Sequence, residues 1–365
     1  RSCERGSTMK THFLYLVIVL TCFLPLAARA EWRAGVASRN ITPDQFMWMA
    51  GYGSRSAPAD GKLTDLWAKA LVLEAADGKR AVVVTLDLVG IDRATAARIC
   101  RTAAEKHGLT RDQIALCTSH THSGPVVNRN LGPLHYLVVD KQQQQLIDDY
   151  AGHLHDEVAA AIAAAIDDLA PARVQWGSGL STFGVNRREN KPYDAVPDLR
   201  NGGTLAGPVD HDVPVLSVRS PVSGELRAVV FGYACHATTL SLNQWSGDYP
   251  GFAQIELEKA HPDCVALFWA GCGADQNPLP RKTVELAQQY GAELAEAVDE
   301  VLDAPMAELD DSLSSRYREI DLPLASLPSR EANDEVAKTS TNRFEVARAK
   351  YLRQQFEARG GLDDH

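Results

Sequence analysis

Two histidines separated by one residue are the feature of this sequence that points most directly to chemistry. His120 and His122 lie in the stretch 117–125, directly after a short apolar run. In an extended segment, residues i and i+2 project to the same side, and α/β proteins commonly place a site at the end of a strand. A neutral imidazole is a common zinc ligand, and a second one nearby can orient a substrate or transfer a proton. The pair therefore predicts a metal or catalytic site, with two loop histidines of no special role as the alternative.

A third histidine, His236, follows another apolar run at 226–234 and precedes small residues. A single histidine at the end of a strand is more often a hydrogen-bonded structural residue. Together with His120, it becomes a second candidate zinc ligand. A catalytic zinc usually has three protein ligands and one open position, so two histidines do not complete such a site.

A glycine-rich turn at 271–278 reads Gly-Cys-Gly-Ala-Asp-Gln-Asn-Pro. Its glycines permit close backbone approach, and its free N–H groups could face a developing oxyanion. A tight strand-to-helix connection explains the same pattern equally well. Among the polar loop residues, Arg187 could pair with a carboxylate or polarise a carbonyl group, although most loop arginines are solvated. His153 and His155 lie on an alanine-rich predicted helix, and we expect both at the surface.

The composition and the absent motifs remove several classes of function. The chain has 365 residues and a formal net charge of −10, without the basic patch that binding to nucleic acid requires. It has no Gly-x-Ser-x-Gly elbow, P-loop, dinucleotide fingerprint or His-Glu-x-x-His helix. Its seven cysteines show no metal-type spacing, and removal of a signal peptide would leave an odd number. A disulfide framework, a nucleotide enzyme and a serine hydrolase are therefore not indicated.

Alternating strand-like and helix-like segments must position these residues. The predicted strands are short apolar runs bounded by Gly, Pro, Asp or Asn, at 33–37, 67–74, 81–86, 114–118, 174–177, 213–218, 226–234 and 265–269. The predicted helices lie at 93–106, 141–169, 251–260 and 282–302. Their interleaving predicts an α/β fold, a layered mixed β-sheet with flanking helices. We expect 187–208 to be a long surface loop and 329–361 to be a charged helical stretch.

The N-terminal 30 residues predict export. Residues 1–8 precede Met9 and Lys10, and an apolar run at 13–26 ends before Ala28-Arg29-Ala30. A basic residue, a short apolar stretch and an Ala-x-Ala site are typical of a secretory signal peptide. We therefore expect cleavage after Ala30 and a secreted or periplasmic protein. Residues 31–310 would form the principal domain, and 311–365 the start of a C-terminal portion, which we expect to be truncated.

From about Trp32 to about Leu302, the chain resembles the N-terminal catalytic domain of the neutral/alkaline non-lysosomal ceramidases. The resemblance rests on motifs that occur in the order of that family. They are Ala-Gly-Val at 34–36, Asn-Ile-Thr-Pro at 40–43, Met-Ala-Gly-Tyr-Gly at 49–53, the strand pair at 71–74 and 83–87, Thr-Ser-His-Thr-His-Ser-Gly-Pro at 118–125, Asn186-Arg187, His236 and the turn at 271–278. The stretch 118–125 is the most specific of them.

The resemblance implies roles that spacing alone does not. In the family, the histidines that correspond to His120 and His236 hold a catalytic zinc, and a Glu and a Tyr farther along the chain complete the site. These would lie beyond His365. His122 and Arg187 correspond to catalytic residues that contact the substrate, and Gly51 lines the pocket. Zinc-activated water then attacks the amide carbonyl and releases a fatty acid and a sphingoid base.

The turn at 271–278 departs from the family pattern. Gln276 stands where the family has a serine, and glutamine is not a nucleophile. A metal mechanism remains, and Gly273 and Gln276 become candidate substrate-binding residues. We expect an N-acyl amide such as a ceramide-like lipid as the substrate, no nucleic acid, and contact with a membrane at its periphery. The same fold and metal acting on another amide or ester remains open, as does a non-catalytic binding protein, and the oligomeric state is not predicted.

Overall fold

The computed structural model describes residues 32–362 of the chain. The predicted signal peptide and its cleavage site after Ala30 lie outside these residues. The strands are β1 (Trp32–Asn40), β2 (Gly61–Lys62), β3 (Trp67–Glu74), β4 (Arg80–Leu86), β5 (Ile114–Thr118), β6 (Ala170–Leu180), β7 (Gly184–Asn186), β8 (Asp212–Arg219), β9 (Leu226–Tyr233), β10 (Gln244–Trp245), β11 (Val265–Ala270), β12 (Gln276–Pro278) and β13 (Ala307–Glu308). The α-helices are α1 (Arg93–His107), α2 (Lys141–Asp167), α3 (Val196–Asn201), α4 (Asp248–Ala260), α5 (Val284–Asp303), α6 (Arg330–Thr339) and α7 (Arg343–Arg359).

The principal sheet has the strand order β11-β9-β8-β6-β1-β3-β4-β5, with β13 paired to β6. Only its two outermost pairs, β4 with β5 and β9 with β11, are parallel. The first residues of β6, 170–172, pair with β1, and residues 173–180 pair with β8. The strand β6 thus passes from one half of the sheet to the other.

The two halves of the sheet fold over each other, so that β11 contacts β1, β3, β4 and β5. One apolar core fills the space between the halves, and it includes Leu71, Val230 and Leu267. A second core joins β3 and β4 to α1 and α2, and a third joins β8, β9 and β11 to α4 and α5. Helices therefore cover both outer faces, which confirms the predicted α/β fold of a layered mixed sheet with flanking helices.

Each parallel pair of strands is joined by a helical crossover. The chain runs β4-α1-β5 in one half of the sheet, and β9-α4-β11 in the other. The carboxyl ends of parallel strands lie at the same edge, where α/β folds commonly place ligands. His120 follows β5 and His236 follows β9, so each half of the fold contributes a histidine from such an edge.

An ion pair links the two halves through their common interior. Lys69 on β3 is only 3% exposed, and its Nζ donates to Glu258 Oε1 on α4 at 2.6 Å. The same ammonium donates to the carbonyl oxygen of Ala266 on β11 at 2.9 Å. A buried charge requires a partner and further hydrogen bonds. This lysine has both, and each of its partners belongs to the opposite half.

One local prediction is wrong. His155 is expected at the surface, but it is buried, with Nε2 2.9 Å from the hydroxyl of Thr102 on α1, because α1 packs against that face of α2. The charged stretch at 329–361 is helical as predicted, in two helices separated at 340–342, where Asn342 caps the second helix by accepting from the N–H of Phe344. Among residues 32–362, no helix is both long and apolar enough to span a membrane.

Candidate metal centre

Three histidines from two separate loops meet at the carboxyl ends of β5 and β9. One ring nitrogen of each of His120, His122 and His236 lies within 4.8 Å of one ring nitrogen of each of the other two. The Nε2 atoms of His120 and His122 are 3.3 Å apart. The ring of His236 lies 4.9 Å from that of His120 and 5.8 Å from that of His122, centroid to centroid. Within residues 32–362, this is the one group of three or more potential ligand side chains with spacing suited to a metal ion.

Backbone carbonyl groups fix the tautomers of two of these rings. His120 Nδ1 is 2.7 Å from the carbonyl oxygen of Val89, and His236 Nδ1 is 2.7 Å from that of Gly273. Because a carbonyl oxygen only accepts, each Nδ1 carries the proton and each Nε2 keeps a free lone pair. Such a contact from the far ring nitrogen is the usual way in which proteins orient a metal-ligating histidine.

Burial favours the neutral form of His122 and His236, which is the form that binds metals. The pKa of His122 is lowered to about 2, mainly by desolvation and also by the neighbouring His120 and His236. Burial also lowers the pKa of His236, although the carbonyl of Gly273 acts in the opposite direction. Neutral imidazoles whose lone pairs converge fit a divalent cation of the zinc type, whose usual ligands are such nitrogens. The residues present therefore fit the metal that the family resemblance implies.

The backbone around the pair of histidines is held from several directions. His120 has a φ of +59°, which is uncommon for a residue with a side chain and is often found at functional sites. Between the two histidines, the buried Thr121 donates its hydroxyl to the carbonyl oxygen of Ser246 at 2.8 Å. The N–H of His122 donates to the carbonyl oxygen of Ala237 at 3.2 Å, which ties the two histidine loops together. Thr121 is thus fixed in the interior, whereas the histidines on either side of it join the cluster.

The loop that carries Gly51 and Tyr52 packs directly on His122. The rings of Tyr52 and His122 lie 4.8 Å apart in an edge-to-face arrangement. Gly51 has a φ of +98°, and its N–H donates to Nε2 of the buried His135 at 3.2 Å. Burial lowers the pKa of His135 to about 4, so this ring stays neutral and accepts the hydrogen bond. His135 was not identified from the sequence, where nothing distinguishes it from an ordinary loop histidine.

A buried arginine supports the same loop. Arg55 is 6% exposed, and its Nη2 donates to the carbonyl oxygen of His122 at 2.8 Å. Its Nη1 donates to the carbonyl oxygen of Leu242 at 3.0 Å and to Asn243 Oδ1 at 2.6 Å. Burial lowers the pKa of the guanidinium. Sequence analysis missed Arg55 as well, because its contacts come from segments distant along the chain.

The remaining predicted site residues lie around His236. Arg187 is half-buried, and its charge contributes to the lowered pKa of His236. Its side chain makes no hydrogen bond or ion pair with any of residues 32–362. Gly273 offers its carbonyl oxygen to the His236 ring. Gln276 is buried on β12; its backbone oxygen accepts from the N–H of His236 at 3.1 Å and its Oε1 accepts from the N–H of Asp210 at 3.2 Å. The structure thus brings all seven predicted residues to one region, with Gln276 below its surface.

A cavity of about 460 Å³ opens beside the cluster. Its polar wall contains His120 and His236, and the rest of its lining consists of small or apolar side chains and glycine backbone from β5, β11 and the turn after β11. Leu116 and Ala270 are examples, and Cys235, after β9, also lines the cavity. The site therefore combines a metal-type cluster with a largely apolar cavity.

These features define a layered α/β protein with a histidine cluster at the meeting edges of its two half-sheets. A family model described as neutral/alkaline non-lysosomal ceramidase, N-terminal, matches residues 32–268. The chain belongs to this family, which confirms the resemblance drawn from its motifs.

Similar proteins cover only part of the chain and are themselves much longer. A neutral ceramidase of Pseudomonas aeruginosa is 28% identical over 258 residues, which are 67% of this chain and 37% of that protein. Neutral ceramidase 1 of Arabidopsis thaliana is 26% identical over 269 residues, which are 72% of this chain and 34% of that protein. The chain thus spans about a third of the length of these relatives.

Solved structures give the same fold. A structure described as ceramidase complexed with C2 aligns with a TM-score of 0.63 and 24% identity, covering 76% of this chain and 45% of that one. The crystal structure of neutral ceramidase from Pseudomonas aeruginosa aligns with a TM-score of 0.61 and 24% identity, covering 76% of this chain and 46% of that one.

Proposed function

We propose that this chain carries the metal-binding part of a zinc-dependent amidohydrolase that cleaves an N-acyl amide of the ceramide type. The observation that carries the proposal is the convergence of three imidazoles, two of them with Nδ1 fixed by a carbonyl group so that Nε2 is free. Membership of the ceramidase family supports the choice of an amide as the substrate.

In this proposal, His120 and His236 hold the zinc ion. When bound, zinc supplies Lewis-acid chemistry and makes water acidic enough to act as a nucleophile near neutral pH. His122 faces the same space with a neutral ring, held by the loop of Gly51 and by Arg55, and can form a hydrogen bond to the substrate there. Arg187 offers a guanidinium without a partner among the described residues, suited to hold a carbonyl oxygen as negative charge develops on it.

The cavity beside the cluster accommodates the acyl chain. Its lining is mainly apolar, and burial of a hydrocarbon chain there is favourable by about 0.8 kcal/mol for each methylene group removed from water. Gly51 and Gly273 line the approach to the reacting carbonyl, and Gln276 holds the loop at Asp210 beneath it. The enzyme is exported, with cleavage after Ala30, and residues 31–310 form its hydrolase domain. Its lipid substrate brings it into contact with membranes at their periphery.

Metal content and hydrolysis test this function together. In the full-length protein, which would supply the remaining ligands that the family resemblance implies, we expect one zinc ion for each chain and release of fatty acid from a long-chain ceramide. The variants His120→Gln and His236→Gln should each lose zinc and activity. His153→Gln is the matched control, because His153 is exposed on α2 and outside the cluster.

Each outcome bears on a separate part of the proposal. A wild-type chain that binds no zinc, or His120→Gln and His236→Gln variants that bind as much as His153→Gln, would contradict the metal site. Stoichiometric zinc without turnover of any N-acyl amide would leave the metal site standing, and would favour a binding protein over a hydrolase.

A further inference from the structure

A second cavity, of about 370 Å³, differs from the first in its chemistry. Its lining is polar and includes three cationic side chains, those of Arg55, Arg281 and Lys282. Tyr52 also lines it, and the Tyr52 ring contacts the His122 ring. The largely apolar cavity is thus lined by His120 and His236, and the basic cavity is connected to the same cluster through the contact of Tyr52 with His122.

The three cations have no acidic partner. None of them takes part in an ion pair with any of residues 32–362, although the chain has 47 acidic and 37 basic residues. The nearby buried carboxylate of Asp248 is turned away, because its oxygens accept from the N–H groups of Thr239, Leu240 and Tyr249 at 2.7–3.0 Å. In an acidic protein, an uncompensated cluster of cations around one cavity is a binding feature for an anion.

The donors at this cavity are only partly used. Nη1 of Arg281 donates weakly to the carbonyl oxygen of Thr238 at 3.3 Å, and its buried Nε has no partner. The Lys282 side chain makes no hydrogen bond, and its backbone has a φ of +94°, with its N–H fixed to the carbonyl oxygen of Thr239 at 2.7 Å. An uncommon backbone conformation tends to persist where the surrounding structure holds it for function. Arg55 lies beneath, with its charge buried and its own Nε without a partner.

We propose that this basic cavity binds an oxyanion carried by the substrate, so that the enzyme prefers an N-acyl amide with an anionic group over a neutral ceramide. Arg281 and Lys282 contact the anion, and Arg55 adds positive charge from below. The acyl chain occupies the apolar cavity, the amide lies at the histidine cluster, and the anionic group extends past Tyr52. The placement of the acyl chain and the anionic group of the substrate rests on the proposed amidohydrolase function. Anion binding by the cavity does not depend on that function.

A matched set of amides tests the proposal on the full zinc-loaded chain. N-palmitoylglycine carries a carboxylate where N-palmitoylethanolamine carries a neutral hydroxymethyl group. N-palmitoyl phosphoethanolamine carries a phosphate instead. Isothermal titration measures affinity, and release of palmitate measures kcat/KM. We expect at least one anionic amide to bind about ten- to a hundredfold tighter than the neutral one, the range for a charge-assisted hydrogen bond. Tighter binding of the glycine amide identifies a carboxylate as the anionic group of the substrate. Tighter binding of the phosphoethanolamine amide identifies a phosphate.

The variants Lys282→Gln and Arg281→Gln assign the preference to the cavity. Each should reduce the ratio of anionic to neutral affinity by about tenfold, and the effect should shrink as salt rises because part of the site is exposed to solvent. Lys259→Gln is the control, since Lys259 is exposed on α4 and does not line this cavity. Lys282→Gln chiefly removes charge, because that side chain has no hydrogen bond or ion pair with any of residues 32–362 to lose.

Failure of the anion site and failure of the hydrolase function give different results. Equal affinity for all three amides, or an unchanged preference in Lys282→Gln and Arg281→Gln, overturns the anion site even if palmitate is released. Preferential binding of an anionic amide without release of palmitate supports the anion site and overturns the hydrolase.

Discussion

The contact between Gly51 and His122 leads to the sharpest test of the candidate site. In a Gly51→Ala variant, the added Cβ would lie 2.4 Å from Cγ, 2.6 Å from Cβ and 2.7 Å from Nδ1 of His122. Carbon atoms in contact are normally about 3.5–4.0 Å apart. The clash involves the base of the side chain rather than its flexible end, so either the Gly51 loop or the whole ring must move by about 1 Å to restore that separation.

Two separate costs follow from this change. The φ of +98° at Gly51 is unfavourable for alanine, and a strained conformation of this kind costs about 1–3 kcal/mol. Displacement of the ring acts on function instead, because a misplacement of about 1 Å at a reacting group can reduce the rate by about a hundredfold. We therefore expect moderate destabilisation together with a loss of about two orders of magnitude in kcat/KM for amide hydrolysis.

Gly78 provides a matched control for the backbone cost. Its φ is +80°, in the same part of conformational space, and an added Cβ there would meet nothing within 4 Å. Gly78→Ala should lose a similar amount of stability in urea denaturation, while its kcat/KM stays near that of the wild type. If Gly51→Ala hydrolyses the amide as fast as Gly78→Ala does, then the position of the His122 ring does not govern the reaction, and the reasoning from this contact is wrong.

Three further predictions concern stability. Burial lowers the pKa of His135 to about 4 in the folded protein, below its ordinary value of 6.5, so the stability that it contributes is present above pH 6.5 and is lost as the pH falls toward 4, by about 3 kcal/mol. Between pH 7.5 and pH 4.5, urea denaturation should show a smaller loss of stability for His135→Gln than for the wild type, and an equal loss would contradict this. Glu258→Gln removes the ion-pair partner of the buried Lys69 and should lower the free energy of unfolding by about 3 kcal/mol, whereas a change below about 0.5 kcal/mol would mean that water reaches the ammonium. Zinc at 100 times its Kd should raise the free energy of unfolding of the wild type by about 2.7 kcal/mol, as measured by thermal unfolding. It should not stabilise His236→Gln, and removal of zinc by a chelator should reverse the stabilisation of the wild type.

Local sequence determined most of the secondary structure of residues 32–302. The predicted strands at 67–74 and 114–118 have the observed boundaries, and the predicted helix at 93–106 ends one residue before the observed α1. Apolar runs bounded by turn residues carry this information within a few neighbours, as does Asp92, whose side chain caps α1 by accepting from the N–H of Thr95. The layered α/β class follows from the alternation of these elements.

The identity of several site residues could also be predicted, through their position at strand ends and their likeness to family motifs. His120, His122 and His236 were predicted in this way, and the structure brings them together. The periodicity of apolar residues along the chain does not predict that these side chains come together, because His236 belongs to the opposite half of the folded sheet from His120 and His122. Only the packing of β11 over the strands of the first half brings the two edges together.

Burial and long-range contact decided what the sequence left unassigned. Arg55 reaches the carbonyl oxygen of His122 across 67 positions of the chain, and Gly51 meets His135 across 84. The grouping of Arg55 with Arg281 and Lys282 around one cavity likewise has no local signature. The sequence by itself determined which elements form and which residue types can do chemistry. The tertiary structure alone decided their neighbours, since charge, desolvation and hydrogen-bond partners depend on atoms that are close in space and distant along the chain.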